Sequence, residues 1–244
     1  MNKNKVLLLA ALLSLGLACS LTTVPTSGGS TPLPEDVPSV PVGIQAGLAS
    51  LDSYSLAVES NLSGPTQAED SHTRIEILKS KDQDAISTHY NINELSADAS
   101  EPSTTDSYSY TIGNASCSGS DEDGWDYTES TPQQTEMQKL LAGMLDFLPI
   151  FDNPIFVGSE TMNGIVTRHF SFQVSGLGVK SGTQATTNQG DYWLAQDGQY
   201  IVKYSLVAET QDPATQTVSH MDILIDLTGI NQPVDIAFPV GCVP

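Results

Sequence analysis

Four histidines and three cysteines are the residues of this chain best suited to do chemistry. A histidine acts as a general base or a metal ligand only beside a nucleophile or further ligands at a suitable spacing. His72, His89, His169 and His220 are isolated in sequence, and each falls on a strand-like alternating pattern. No GxSxG elbow, HExxH helix or phosphate-binding loop accompanies them. The sequence therefore predicts no enzyme, no metal site and no cofactor.

Two other stretches could hold an ion or a nucleotide in a different context. The acidic run 121–124 offers carboxylates, but its spacing is not the alternating one of a calcium-binding loop. The glycine-rich stretch 176–181 lacks the strand-turn-helix context of a nucleotide site. We expect a solvated hairpin turn at the first stretch and a plain connection at the second.

The charge balance excludes several classes of partner. The 244 residues include 29 Asp and Glu against 9 Lys and Arg, which gives a net charge of −20. Such a polyanion cannot release counterions from DNA or RNA, so no nucleic-acid partner is expected. It is also repelled by anionic lipid headgroups, so any membrane association has to be hydrophobic or covalent. The length suits one domain of about 200 residues with appendages.

The first appendage has the organisation of a secretory signal peptide. Lys3 and Lys5 precede the mostly apolar run 6–17, which is too short to span a bilayer. A small residue, Ala18, follows this run. The alternative, a buried core helix at the extreme N-terminus, is disfavoured by the basic residues and the small residue that flank the run.

Cys19 directly follows the small residue and changes the prediction from secretion to anchoring. Residues 15–19, LGLAC, resemble a bacterial lipobox, although Gly16 stands where that pattern prefers an aliphatic residue. The resemblance implies that 1–18 is a lipoprotein signal peptide and that Cys19 carries acyl chains such as palmitate. Cleavage by an ordinary signal peptidase is the alternative. Each buried methylene contributes about 0.8 kcal/mol, so two or three acyl chains outweigh the electrostatic repulsion.

The lipidated cysteine and the stretch after it form a predicted tether, residues 19–43. Prolines recur there among Ser, Thr and Gly, without apolar periodicity, at Pro25, Pro32, Pro34, Pro38 and Pro41. Such a segment cannot bury enough apolar surface to fold. The folded domain is therefore predicted at 44–244.

The two remaining cysteines, Cys117 and Cys242, form an even pair in a chain predicted to be exported. An oxidising compartment favours a disulfide between them, and two free buried thiols are the alternative. The pair has no metal-site spacing.

Period-two alternation of apolar and polar residues dominates the domain and predicts antiparallel strands that bury one face. Asn-Gly at 163–164 and Asp-Gly at 197–198 lie between alternating runs and suit tight type I′ hairpins. The apolar residues that share a face in each run are Tyr54, Leu56, Val58 and Leu62; Ile75 and Ile77; Phe170, Phe172 and Val174; Tyr200, Val202, Tyr204 and Leu206; and Met221, Ile223 and Ile225.

Two helices are predicted beside the strands, a short one at 44–51 and a longer one at 132–148. The longer one has apolar residues at helical spacing, namely Met137, Leu140, Leu141, Met144, Leu145 and Leu148. This apolar stripe either covers the sheet as ordinary core or lines an apolar cavity with its adaptable Met side chains. Both interpretations stay open.

The order of these elements resembles the LolA/LolB carriers and the mycobacterial LppX/LprG lipoproteins over roughly 44–239. The stretches that carry the resemblance are "LASLDSYSLAVESNLSG", "YTIGNASC", "GWDYTES", "GSETMNGIVTRHFSF", "DYWLAQDGQYIVKYSLVAE" and "DLTGINQPVDIAFP". They match in pattern and order, and a polar insertion at 98–106 has no counterpart. The resemblance implies a mainly β (α+β) fold, a strongly curved antiparallel sheet forming a half-open β-barrel with one or more helices on its concave face.

The same resemblance implies a membrane-anchored envelope lipoprotein that holds a lipid or other apolar ligand, on the extracytoplasmic side. Across the cavity, Met137, Leu140, Leu141, Met144 and Leu145 are expected to face Phe170, Phe172 and Trp193. Two alternatives remain, a structural or protein-interaction lipoprotein with a filled core and a hydrolase built on a histidine in a cleft. The sequence identifies neither the ligand nor a protein partner.

Overall fold

The structure is a computed structural model, and it describes residues 47–66, 70–94, 103–129, 152–174, 184–196 and 200–243. Eleven strands form in these ranges. Buried and less buried residues alternate clearly along parts of several of them, such as 53–58 and 201–206, as the sequence pattern predicts. They are β1 (Ser53–Ser63), β2 (Ser71–Ser80), β3 (Ala85–Glu94), β4 (Ser103–Ile112), β5 (Ala115–Ser120), β6 (Gly124–Glu129), β7 (Asp152–Met162), β8 (Ile165–Gln173), β9 (Gln184–Ala195), β10 (Ile201–Gln211) and β11 (Val218–Thr228).

All eleven strands belong to one antiparallel sheet in the order β6-β5-β4-β3-β2-β1-β11-β10-β9-β8-β7. Two meanders, β1–β6 and β7–β11, are joined at the centre by pairing of the first strand with the last. The sheet is open, with β6 and β7 as its two edges. Residues 130–151 therefore connect one edge of the sheet to the other.

The predicted mainly β, antiparallel class is confirmed, and the helices are only partly covered by the described residues. Residues 47 and 48 are helical and a turn follows them, while Leu48 and Leu51 are buried in the core. The longer predicted helix, 132–148, lies outside the described residues. No helix in the described ranges is long and apolar enough to cross a bilayer. Part of the unmatched insertion is strand, since β4 begins at Ser103.

One face of the sheet, called the inner face here, carries the apolar core. Leu56, Leu227, Ile225 and Tyr204 lie side by side on it across the central strands, and each is at most 1% exposed. The core cluster extends from them to β2 and β3 of the first meander and to β7–β9 of the second. Burial of this apolar face stabilises the sheet, at about 25 cal/mol for each Å² removed from water.

The turn of the β7–β8 hairpin has the backbone conformation that its Asn-Gly sequence predicts. Asn163 and Gly164 both have positive φ, 52° and 80°, as a type I′ turn requires. The Asn163 Nδ2 also donates to Asp226 Oδ1 at 2.8 Å and to the Leu227 carbonyl at 2.9 Å, which ties the hairpin tip to β11. The second predicted turn, at 197–198, lies outside the described residues.

The chain after β11 returns along the first meander and is fixed there by a disulfide. Gln83, in the β2–β3 turn, donates to Asp235 and accepts from the Ile236 backbone N–H. Farther on, a disulfide joins Cys242 to Cys117 on β5, across a sequence separation of 125 residues. The predicted pairing is therefore present.

Gly190, on the inner face of β9, has no room for a larger residue. A Cβ there would lie 2.6 Å from the Phe172 Cε1 and 2.7 Å from the Ser205 carbonyl oxygen. We expect Gly190→Ala to lower the free energy of unfolding by about 1–3 kcal/mol, because the Ser205 backbone cannot yield. Urea unfolding measures the change. Gly158→Ala, where nothing lies within 4 Å, is the matched control, and an equal loss in both variants would contradict the assignment.

Candidate functional site

A row of aromatic rings crosses four neighbouring strands on the inner face. The Phe156 ring on β7 meets Phe170 on β8 at 5.5 Å, and Phe170 stacks on Tyr192 of β9 at 5.0 Å between centroids. Phe172 then contacts Tyr192 at 5.9 Å and Tyr204 of β10 at 5.4 Å. These five residues, called the aromatic row below, follow from register, since Phe156, Phe170 and Tyr192 are directly opposite one another.

The aromatic row is exposed at one end and fully buried at the other. Phe156, on the edge strand, is 54% exposed, whereas Phe170 is 3% exposed and both tyrosines are 0% exposed. Ile155 and Val157, the neighbours of Phe156 on the same edge, are also exposed. An apolar path therefore leads from the open edge of the sheet into its core, which is the arrangement an apolar ligand site requires.

The hydroxyl groups on the inner face stay protonated at physiological pH. Burial raises the pKa of Tyr192 to about 12, even though the nearby Arg168 acts in the opposite direction. Burial also raises the pKa of Tyr54 and of Tyr90 to about 12, and that of Tyr204 further still. The tyrosines therefore add weak polarity and no charge to an otherwise apolar surface.

Two of the predicted ligand-facing residues lie in the aromatic row, and one does not. Phe170 and Phe172 are on the inner face as expected. Trp193 is on the outer face, so the expectation that it shares their side of the sheet is wrong. Register is the reason, because Trp193 lies opposite His169 while its neighbour Tyr192 lies opposite Phe170. The other predicted ligand-facing residues, Met137, Leu140, Leu141, Met144 and Leu145, lie outside the described residues.

On the outer face Trp193 takes part in a polar cluster. Its ring stacks on His169 at 4.5 Å, and its Nε1 donates to Glu160 at 2.6 Å. The Lys203 ammonium lies 5.7 Å from the Trp193 ring centroid, a favourable cation–π distance. Asp191 completes the cluster at 2.9 Å from His169 Nε2. Trp193 therefore has structural partners that occupy both its ring and its N–H.

Three histidines bridge carboxylates on the outer face, which local sequence reasoning missed. His169 lies between Glu160 and Asp191, and His89 lies between Glu76 and Asp106. The third, His220, lies between Glu209 and Asp222 in the same manner. Only the His-x-Asp spacing of 220–222 could have been found in the sequence, since the other bridges need cross-strand register. Each of these pairs joins side chains of strands on the outer face of the sheet.

The two stretches considered for ion or nucleotide binding have separate outcomes. Residues 121–123 form the exposed β5–β6 turn, where the Asp123 backbone N–H donates to Ser120 Oγ at 3.0 Å. The prediction of a solvated turn is confirmed. Within the described ranges, no group of three or more His, Cys, Asp or Glu side chains is arranged to hold a metal ion. The glycine-rich stretch 176–181 lies outside those ranges.

Comparison with known proteins adds a likeness of fold. No family model and no curated protein matches the sequence. Among solved structures, the lipoprotein LppX of Mycobacterium tuberculosis is similar at 16% identity and a TM-score of 0.38, over 80% of this chain and 94% of that chain. LprF of Mycobacterium bovis is similar at 15% identity and a TM-score of 0.42, over 83% and 95%. The resemblance stated from the sequence is confirmed to this extent: the chain is similar to structures of LppX and LprF along most of its length.

Proposed function

We propose that this protein binds a lipid or another apolar ligand against the inner face of its sheet, without catalysis. The aromatic row carries the proposal, because it is continuous from the exposed Phe156 to the fully buried Tyr204. Exposed apolar surface on an edge strand is unfavourable in water and invites aggregation unless something covers it. An acyl chain that enters beside Phe156 would cover this surface and continue along the row.

The proposal assigns the opposite wall of the site to residues 130–151, which connect the two edges of the sheet. A flat sheet of eleven strands is about 48 Å wide. A helix at 132–148 with fully extended flanks between Glu129 and Asp152 reaches at most about 48 Å. Curvature of the sheet would bring its two edges within easy reach of this connection, so the proposed arrangement is a half-open barrel with the helix on its concave face. In this arrangement the apolar stripe faces the aromatic row; its proposed ligand contacts are Met137, Leu140, Leu141, Met144 and Leu145.

The proposal places the domain at the extracytoplasmic side of a bacterial envelope membrane. Acyl chains on Cys19 hold it there, and the proline-rich tether 19–43 keeps it away from the bilayer surface. Loss of Lys3 and Lys5 with the signal peptide leaves seven basic residues against 29 acidic ones. Because anionic headgroups repel this charge, the folded domain is held away from the membrane surface, and it contacts lipid only through its apolar edge.

A filled core is the second candidate, in which the same fold serves as a structural or protein-interaction lipoprotein. One observation favours it: Tyr192 and Tyr204 are fully buried by the protein chain itself. In that case the apolar stripe would simply complete the core, and the exposed Phe156 would contact a protein partner.

Substitution of Phe156 separates these two candidates. We expect Phe156→Ser to weaken binding of a neutral fluorescent acylglycerol probe about tenfold, because half of a phenyl ring then loses its contact with the acyl chain. Fluorescence titration of the full-length protein in mild detergent measures the affinity. Val207→Ser removes a similarly exposed apolar residue from the outer face and is the matched control. Equal affinities for all three proteins would contradict entry beside Phe156.

A further inference from the structure

Arg168 lies on the inner face, directly beside the aromatic row. It occupies β8 two residues before Phe170, so both side chains project from the same face of that strand. Its partners across the neighbouring strands are Leu194 of β9, which is 2% exposed, and Ser159 of the edge strand. The guanidinium therefore lies between the buried part of the row and the open edge.

In the part of the chain that the structure describes, no carboxylate lies on this part of the inner face, although Asp and Glu are abundant in the sequence. In β9–β11, Asp191, Glu209, Asp222 and Asp226 all alternate to the outer face. Glu160 of β7 is also on the outer face, where it meets His169 and Trp193. The inner face of β8–β11 thus has one cation and, among the described residues, no anion.

Two other described cations of the sheet already pair with carboxylates. Arg74 pairs with Glu59 and Glu76, and Lys81 pairs with Asp52 at 2.9 Å. The Arg168 Nε differs from them, because it is buried from solvent and has no hydrogen-bond partner among the described residues. A buried donor without an acceptor is destabilising, and more so when it belongs to a charged group. Such a group would gain most from an acceptor that carries a negative charge.

We infer that Arg168 binds the anionic head of an amphiphilic ligand whose acyl chain lies along the aromatic row. This inference rests on the proposed function and narrows its ligand class to acyl lipids with a carboxylate or a phosphate head. The planar guanidinium presents paired N–H donors that match either oxyanion. Its position on β8, one strand in from the open edge and beside Phe170, puts the head next to the edge strand and the chain along the row. The Tyr192 ring contributes apolar contact beside the head.

Competition against a neutral fluorescent acylglycerol probe tests this inference on the full-length protein in mild detergent. The competitors are a long-chain fatty acid, its methyl ester, phosphatidylglycerol and diacylglycerol. We expect the wild type to bind at least one anionic lipid about tenfold more tightly than its neutral counterpart. Preference for the fatty acid over its ester identifies a carboxylate head, and preference for phosphatidylglycerol over diacylglycerol identifies a phosphate head.

Variants at Arg168 provide the decisive comparison. We expect Arg168→Met and Arg168→Gln to lose the tenfold preference for an anionic lipid over its neutral counterpart. Lys203→Met removes a cation from the outer face of the same region and is expected to keep the preference. The neutral-lipid affinity also reports whether each variant is folded.

Two results overturn the inference in distinguishable ways. Equal binding of anionic and neutral lipids by the wild type, or a preference that survives both Arg168 variants, excludes Arg168 as the head site and leaves the proposed function intact. If the wild type binds neither the probe nor any competitor, the proposed function fails, and the inference fails with it.

Discussion

Replacing both Cys117 and Cys242 by serine is expected to lower the free energy of unfolding by about 4–5 kcal/mol. The disulfide closes a loop of 125 residues, and removing it restores that conformational freedom to the unfolded chain. It also releases the C-terminal tail from β5, where Cys117 is fully buried. Urea unfolding, followed by tryptophan fluorescence, measures the change.

Reduction supplies the control for the serine variant. Wild-type protein treated with a thiol reductant is expected to unfold at the same urea concentration as the double variant, and the reductant should leave the variant unchanged. Trp125, which lies beside Gly241 near the disulfide, reports the local release of the tail. Equal midpoints for oxidised wild type and variant would contradict a stabilising role for this bond.

The buried tyrosines predict a loss of stability at alkaline pH. Tyr54, Tyr90 and Tyr192 each have a pKa raised by burial from 10.0 to about 12. Between these values the unfolded chain releases protons that the folded chain retains, so stability falls as the pH rises from 10 towards 12 and is fully present below 10. Each residue contributes roughly 2–3 kcal/mol to this loss. Circular dichroism and tyrosinate absorbance against pH measure unfolding and ionisation together.

Phenylalanine variants test whether the inner-face hydroxyls cause this alkaline transition. Tyr54→Phe and Tyr90→Phe remove the ionising group and keep the ring, so each is expected to move the unfolding midpoint to higher pH. Val207→Ser, on the outer face, removes no ionising group, so it is the control and is expected to leave the midpoint unchanged. Full ionisation of every tyrosine near pH 10 in a protein that remains folded would contradict the assignment.

Local alternation predicted five of the eleven strands, namely β1, β2, β8, β10 and β11, but it could not predict their order. Ile75 and Ile77 share a buried face, as do Tyr204 and Leu206, because period-two patterns reflect burial on one side of a strand. Pairing of β1 with β11 brings together the two ends of the domain. Nothing in either strand's own pattern encodes such a distant partner, so the two-meander arrangement needed the structure.

The candidate site was predicted in part, and register explains the remainder. Phe170 and Phe172 follow from alternation, whereas the choice between Tyr192 and Trp193 depends on which of them lies opposite Phe170. Apolar character alone favoured Trp193, and strand pairing selects Tyr192. Arg168 could not be selected from the sequence either. Strand pairing was needed to show that the described carboxylates on the neighbouring strands lie on the outer face, while Arg168 lies on the inner face.

Native mass spectrometry of the full-length protein, extracted in mild detergent, tests ligand binding most directly. The account predicts one additional lipid mass on the acylated polypeptide, which collisional activation releases while the acyl mass on Cys19 remains attached. Delipidated protein should regain a single lipid after incubation with a membrane lipid extract. A uniform mass without bound lipid, and no uptake from the extract, would contradict the account and favour a filled core.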